Sequence, residues 1–119
     1  MNLAGKLQLK PGQSVSIVNG PAGVALDLGE EHPAADGPGE ADAVIVFCVD
    51  RAELDGLRDQ YVPPAARDGL TWVAYPKAGK LGTDLNRDVL AEIVMREDVR
   101  PVRQVALDDV WSALRLRPS

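Results

Sequence analysis

The alternation of apolar and polar positions changes period several times along the chain, and each change predicts an element. Lys10-Pro11-Gly12 is a turn signal, and the β-branched run Ser14-Val15-Ser16-Ile17-Val18 after it predicts a strand. Asn19-Gly20-Pro21-Ala22-Gly23 then forms a loop whose two glycines are free to take backbone conformations closed to other residues. Val24 to Leu28 has the length of one or two helical turns. From Glu30 to Glu40 the chain places two prolines, two glycines and four carboxylates in eleven residues. That composition predicts a flexible acidic surface loop near 29–40.

The strongest strand signal follows. Val44, Val46 and Cys48 alternate with Ile45, Phe47 and Val49, so both faces are apolar, as in a central strand covered on each side. Asp50-Arg51-Ala52-Glu53 is suited to capping a helix, with Glu53 reaching back. Leu54, Leu57 and Tyr61 recur at helical spacing, so 51–61 predicts an amphipathic helix that Val62-Pro63-Pro64 should end. Leu70 to Tyr75 predicts a second rich strand, stopped by Pro76. Beyond the loop Lys77 to Gly82, Thr83 or Asp84 is the expected cap of another helix, whose stripe is Leu85, Val89, Leu90, Ile93 and Val94. Val102–Leu107 and Val110–Leu116, separated by Asp108-Asp109, predict an antiparallel hairpin. Strand, helix, strand, helix and hairpin together imply an α/β fold, three-layered and Rossmann-like, with a mainly parallel sheet and a C-terminal antiparallel hairpin.

Size and charge narrow this picture. The 119 residues correspond to a single α/β domain over 1–119, and a chain of this size buries roughly two-thirds of its unfolded surface. Thirteen basic and eighteen acidic residues give a net charge of −5, which predicts binding to neither nucleic acid nor an anionic membrane. The single cysteine excludes an internal disulfide, and the single histidine argues against a metal cage. The longest apolar run, Ala43 to Val49, is far below the ~20 residues needed to span a bilayer. With no targeting pattern in Met1 to Lys10, the expected location is cytoplasmic.

Ala-Asp-Ala-Val-Ile-Val-Phe at 41–47, the helix after it and the turn before Leu70 resemble the second half of a class I methyltransferase-like Rossmann fold. Over nearly its whole length the chain is similar to a family of small uncharacterised bacterial proteins. The segments that carry this likeness are 6–12 (Lys-Leu-Gln-Leu-Lys-Pro-Gly), 75–77 (Tyr-Pro-Lys), 83–85 (Thr-Asp-Leu) and 108–114 (Asp-Asp-Val-Trp-Ser-Ala-Leu). The methyltransferase resemblance implies an adenosyl cofactor held by a glycine loop after the first strand. Here Asn19, Gly20 and Gly23 stand in the place of that loop, which reads Asn-Gly-Pro-Ala-Gly, and Asp50 lies at a neighbouring strand end. The departures are that Pro21 removes a backbone donor and that no clear second strand follows. A truncated scaffold is therefore expected, and a scaffold alone does not carry function.

Ligands of open parallel sheets sit beyond the carboxyl ends of the strands, a rule that gathers Asn19, Gly20, Cys48 to Asp50 and Tyr75 to Lys77 on one rim. Lys77, Lys80 and Thr83, at an expected helix start, form a candidate anion site, opposed by the charge of Asp84. Cys48 lacks a base and is expected to be a buried core residue. His32 with Glu30, Glu31 and Asp36 lacks metal-ligand spacing. Asp108 and Asp109 suit a turn better than acid–base chemistry. Trp72 should fill the core, whereas Trp111 on an edge hairpin is a candidate contact for a protein partner or a second copy of the chain. No catalytic residue, metal or cofactor is assigned. The expectation is a non-catalytic binding or interaction module for a small anion or a protein partner. The alternative is a minimal methyltransferase-related enzyme or a binder of S-adenosylmethionine or a nucleotide at the strand-end rim.

Overall fold

The computed structural model describes residues 3–20, 37, 41–77 and 79–119. Its elements are α1 (Leu3–Lys6), β1 (Val15–Val18), β2 (Ala43–Phe47), α2 (Arg51–Gly56), α3 (Arg58–Ala66), β3 (Leu70–Pro76), α4 (Arg87–Met95), β4 (Val99–Ala106) and β5 (Trp111–Pro118), with a 3₁₀ turn at Lys80–Gly82. The expected helical turns at Val24–Leu28 and the acidic loop, apart from Gly37, lie outside the described residues, as do Gly23 and His32.

The five strands form one mixed sheet in the order β1-β2-β3-β5-β4. β1 pairs with β2 and β2 with β3 in parallel, whereas β5 is antiparallel to both β3 and β4. Parallel and antiparallel pairings are therefore equal in number, not mainly parallel. The hairpin does form as expected, but its second strand turns inward, between β3 and β4, and the edges of the sheet are β1 and β4.

β2 is buried at every position, as its two apolar faces require. On one face Val44, Val46, Cys48, Val73, Tyr75, Leu114 and Leu116 pack with Leu54 of α2, Tyr61 and Ala65 of α3, and Leu90 and Val94 of α4. On the other, Ala43, Ile45, Phe47, Trp72, Ala74, Trp111 and Ala113 pack with Leu7, just after α1. Trp72 fills the core as expected, and its indole N–H donates to the Leu7 carbonyl at 3.0 Å, fixing the N-terminal segment to the sheet.

Two helix boundaries differ from expectation. The helix after β2 breaks at Leu57 and then runs through Pro63 and Pro64 to Ala66. The prolines remove two donors but keep their carbonyls, which accept from Arg67 N (3.2 Å) and Gly69 N (2.8 Å) at the helix end. Tyr61 and Ala65, one turn apart and buried, hold this turn against the sheet, so packing overrides the local preference. Gly69 fits closely there: a Cβ at this position would sit 3.0 Å from the Pro64 carbonyl oxygen, so a larger residue would push that turn outward. The last helix starts at Arg87, later than expected, because Asn86 and neither Thr83 nor Asp84 is its cap, accepting from Val89 N at 2.9 Å. Leu85 and Leu90, either side of that cap, join one buried cluster at the positions of a hydrophobic staple.

Replacing Trp72 by Phe leaves the buried Leu7 carbonyl without its donor. The expected loss is about 1–3 kcal/mol of unfolding free energy, with a further contribution from the missing ring volume, measured by urea denaturation.

Candidate functional site

The carboxyl ends of β1, β2 and β3 are joined by side chains. Asn19, just after β1, adopts a left-handed backbone with φ 58°, a conformation Asn tolerates better than most residues. The strained position thus falls on Asn19, since Gly20 has no positive φ. From there the Asn19 amide donates to the Phe47 carbonyl at 2.9 Å and to Glu53 Oε1 at 3.1 Å. Glu53 Oε1 also accepts from Val49 N at 2.8 Å, so the reach-back expected of Glu53 is present. Asp50 caps α2 by accepting from Glu53 N at 2.9 Å. Asp84 supplies a second carboxylate to the same helix start, accepting from Arg51 N at 2.9 Å.

Of the residues expected on the rim, Asn19, Val49 and Asp50 are joined through Glu53, whereas Tyr75 bonds Gln104 and Lys77 bonds Val110. Asn19 and Asp50 are brought into one network with Glu53, and Asp84, read from sequence with Thr83 as alternative caps of the following helix, joins it from a loop 33 residues away. Glu53 was legible only as part of a cap. Its contact with Asn19 spans 34 residues and leaves no local pattern.

Lys77, Lys80 and Thr83 are not at a helix N-terminus. Lys77 N donates to Val110 O (2.7 Å), Lys80 N to Lys77 O (2.8 Å) and Thr83 N to Lys80 O (3.0 Å), while Thr83 Oγ1 accepts from Leu85 N at 3.0 Å. These contacts fold a tight turn ahead of Asn86, with Gly79 and Gly82 at positive φ. Lys80 is exposed and Lys77 half-buried.

Cys48 is buried at the end of β2, as expected of a core residue. Burial pushes its thiol up to about 12, and the nearby carboxylates of Glu53 and Asp50 push in the same direction. Such a thiol is not a nucleophile at neutral pH. Trp111 is also buried, at 4% exposure, and its ring meets Phe47 edge-on with centroids 5.1 Å apart. The expected exposed position on an edge strand is corrected, because β5 is an interior strand. Asp108 serves the turn, its Oδ1 accepting from Val110 N (2.8 Å) and Trp111 N (2.7 Å).

A cavity of about 450 Å³ opens at the other end of the sheet, lined by Gln8, Lys10, Gln13, Asp42, Asp68, Gly69, Leu70 and Arg115. These residues precede β1, β2 and β3 or lie near the carboxyl end of the reversed strand β5. Asp42 Oδ2 accepts from Ser14 N (2.9 Å) and Ser14 Oγ (3.3 Å). Asp68 is held by Arg117 through two bonds of 3.0 Å. No sequence motif marks this cavity, because its residues come from four separate segments. Among the described residues, no helix is long and apolar enough to cross a membrane.

No family model and no curated protein matches the chain. Its structure is similar to the crystal structure of the B. subtilis M1A22 tRNA methyltransferase TrmK, with 13% sequence identity and a TM-score of 0.49 over 99% of this chain and 67% of that one.

Two predictions follow from the rim. Asn19→Ala loses both amide hydrogen bonds and places a Cβ residue in the left-handed region, whereas Asn19→Gly loses only the bonds. Asn19→Gly is therefore expected to be the more stable of the two by about 1 kcal/mol in chemical denaturation. Cys48 is expected to resist iodoacetamide at pH 8 until denaturant opens the fold. Its raised thiol adds stability that is complete below the unfolded thiol's pKa. That stability falls by at most about 1.4 kcal/mol per pH unit as the pH climbs from about 9 towards 12, a loss readable in denaturation curves at pH 8, 9 and 10.

Proposed function

We propose that the chain is a non-catalytic binding module built on a truncated, methyltransferase-like Rossmann scaffold of three layers. Support for the scaffold comes from strand order: three parallel strands are followed by a hairpin whose last strand runs reversed between the third strand and its own partner. The observation that carries the non-catalytic reading is the bonding at the strand-end rim. The Asn19 amide and one carboxylate oxygen each of Asp50, Glu53 and Asp84 are bonded to backbone or to one another, so these groups tie the strand ends to the start of α2. The thiol beside them is buried and protonated, so the rim offers no nucleophile in Cys48. A protein that recognises a ligand needs neither feature. Protonated Cys48 and a self-bonded rim are compatible with binding elsewhere on the sheet.

The test is a thermal-shift titration with S-adenosylmethionine and S-adenosylhomocysteine. A ligand at ~100 times its dissociation constant adds about 2.7 kcal/mol, a shift of several degrees in a domain this size. No saturable shift is expected from either compound. A shift that disappears in Asp50→Asn, with that variant still folded by circular dichroism, would establish the rim as a cofactor site and overturn the reading.

A further inference from the structure

The arginines of β4 and β5 are placed on one face of the sheet. Register pairs Arg100 with Arg117 and Arg103 with Arg115, so like charges stand directly opposite one another twice in succession. In a regular strand, residues 100 and 103 would point to opposite faces. The register shift between Pro101 and Arg103 inserts one residue and returns Arg103 to the face of Arg100. Arg115 and Arg117 continue the alternation of Trp111 and Ala113, so all four lie on the face that carries the Trp72 cluster.

Like-charged pairs across strands are unfavourable without a counter-charge. Among the described residues these four arginines have one carboxylate partner, Asp68, on Arg117. Arg115 Nη1 donates to Gln8 Oε1, while its Nε is buried and bonded to no protein group. Burial and the neighbouring charges of Arg117 and Arg103 lower its pKa, with Asp68 acting in the opposite direction. Positive charges on an edge strand also discourage edge-to-edge association, which accounts for Arg100 and Arg103 on β4. It does not account for Arg115 and Arg117, because β5 is interior. Arg115 lines the 450 Å³ cavity together with Lys10. The cavity and the adjoining face thus hold five cations (Lys10, Arg100, Arg103, Arg115 and Arg117) and two carboxylates, in a chain whose net charge is −5.

We infer that this cavity, with the arginine face beside it, binds a compact ligand carrying two or more phosphate groups. This deepens the binding-module reading by naming its site and ligand class. Guanidinium groups present paired donors that match phosphate oxygens, and several in one place select for multiple negative charge. A concave site of this volume fits a small molecule. A nucleic-acid strand would instead call for aromatic platforms on which bases stack. All five aromatic residues of the chain, Phe47, Tyr61, Trp72, Tyr75 and Trp111, are buried. Recognition therefore runs through phosphate and not through a base.

The test is isothermal titration of the full chain with inorganic tripolyphosphate at low ionic strength. The expected result is one saturable site per chain whose affinity falls as salt is raised. Arg115→Gln should weaken it by about tenfold or more, the scale of one charge-assisted hydrogen bond. Arg103→Gln and Lys10→Gln, at exposed positions, should each weaken it several-fold while leaving the thermal melt near that of the parent. Absence of saturable binding, or affinity unchanged in both exposed variants, would overturn the inference. So would tighter binding of hexauridylate that tripolyphosphate fails to displace, because the face would then serve a strand. Either failure leaves the non-catalytic reading intact, whereas binding of an adenosyl compound at the rim would remove that reading and leave this site standing.

Discussion

The position of β5 governs the architecture. The α4 crossover delivers β4 in the same direction as β3 but one strand away, and β5 runs back through the gap to pair with both. Without β5, β3 would present an open edge in the middle of the apolar core and β4 would have no partner. Its place explains why Trp111, Ser112, Ala113 and Leu114 are buried in succession, on both faces of a strand that local reasoning puts at the periphery. A hairpin connection specifies that two strands are antiparallel. It does not specify which of them faces the rest of the sheet.

From that placement the two sheet faces acquire different characters. One is covered by α2, α3 and α4 and is closed by aliphatic side chains with Tyr61 and Tyr75, the latter accepting a hydrogen bond from Gln104 of β4 at 2.9 Å. The other concentrates Phe47, Trp72 and Trp111 towards its centre and then changes, along β5, from Trp111 and Ala113 to Arg115 and Arg117. The same alternation that packs the first pair of residues sets the direction of the second. Fixing the tryptophan in the core therefore fixes the arginines on that face.

Legibility in the sequence followed the range of the interaction. β2 was evident because seven consecutive apolar residues satisfy only a strand covered on both sides. Asp50 as a cap and Asp108 as a turn residue were evident because their partners lie within three positions. The cap expected at Thr83 or Asp84 falls instead on Asn86, because Asp84 serves a helix start 33 residues earlier. Pro63 and Pro64 read as a helix stop, yet Tyr61 and Ala65 bury enough surface against the sheet to carry the helix past them. The arginine face was hidden for a different reason. The spacing of Arg100 and Arg103 is wrong for one face of a strand, and only the bulge makes it right.

Net charge is a global quantity, and local charge is set by the fold. A total of −5 describes the average field far from the surface, where it opposes approach of another anion. Within about a Debye length, roughly 10 Å at 0.1 M salt, the groups that matter are the nearest ones. At the carboxyl ends of the parallel strands, acidic side chains accept hydrogen bonds from backbone donors, as with Asp50, Glu53 and Asp84 around the start of α2. At the amino ends, Lys10 and Arg115 line the cavity with Asp42 and Asp68, and Arg100, Arg103 and Arg117 stand beside it on β4 and β5. The topology separates the two ends because β5 runs against its neighbours and carries its last arginines to the end where β2 and β3 begin. The cavity there lies outside what the strand-end rule describes. That rule concerns the loops after parallel strands, and this cavity takes Arg115 from the one strand that points the other way.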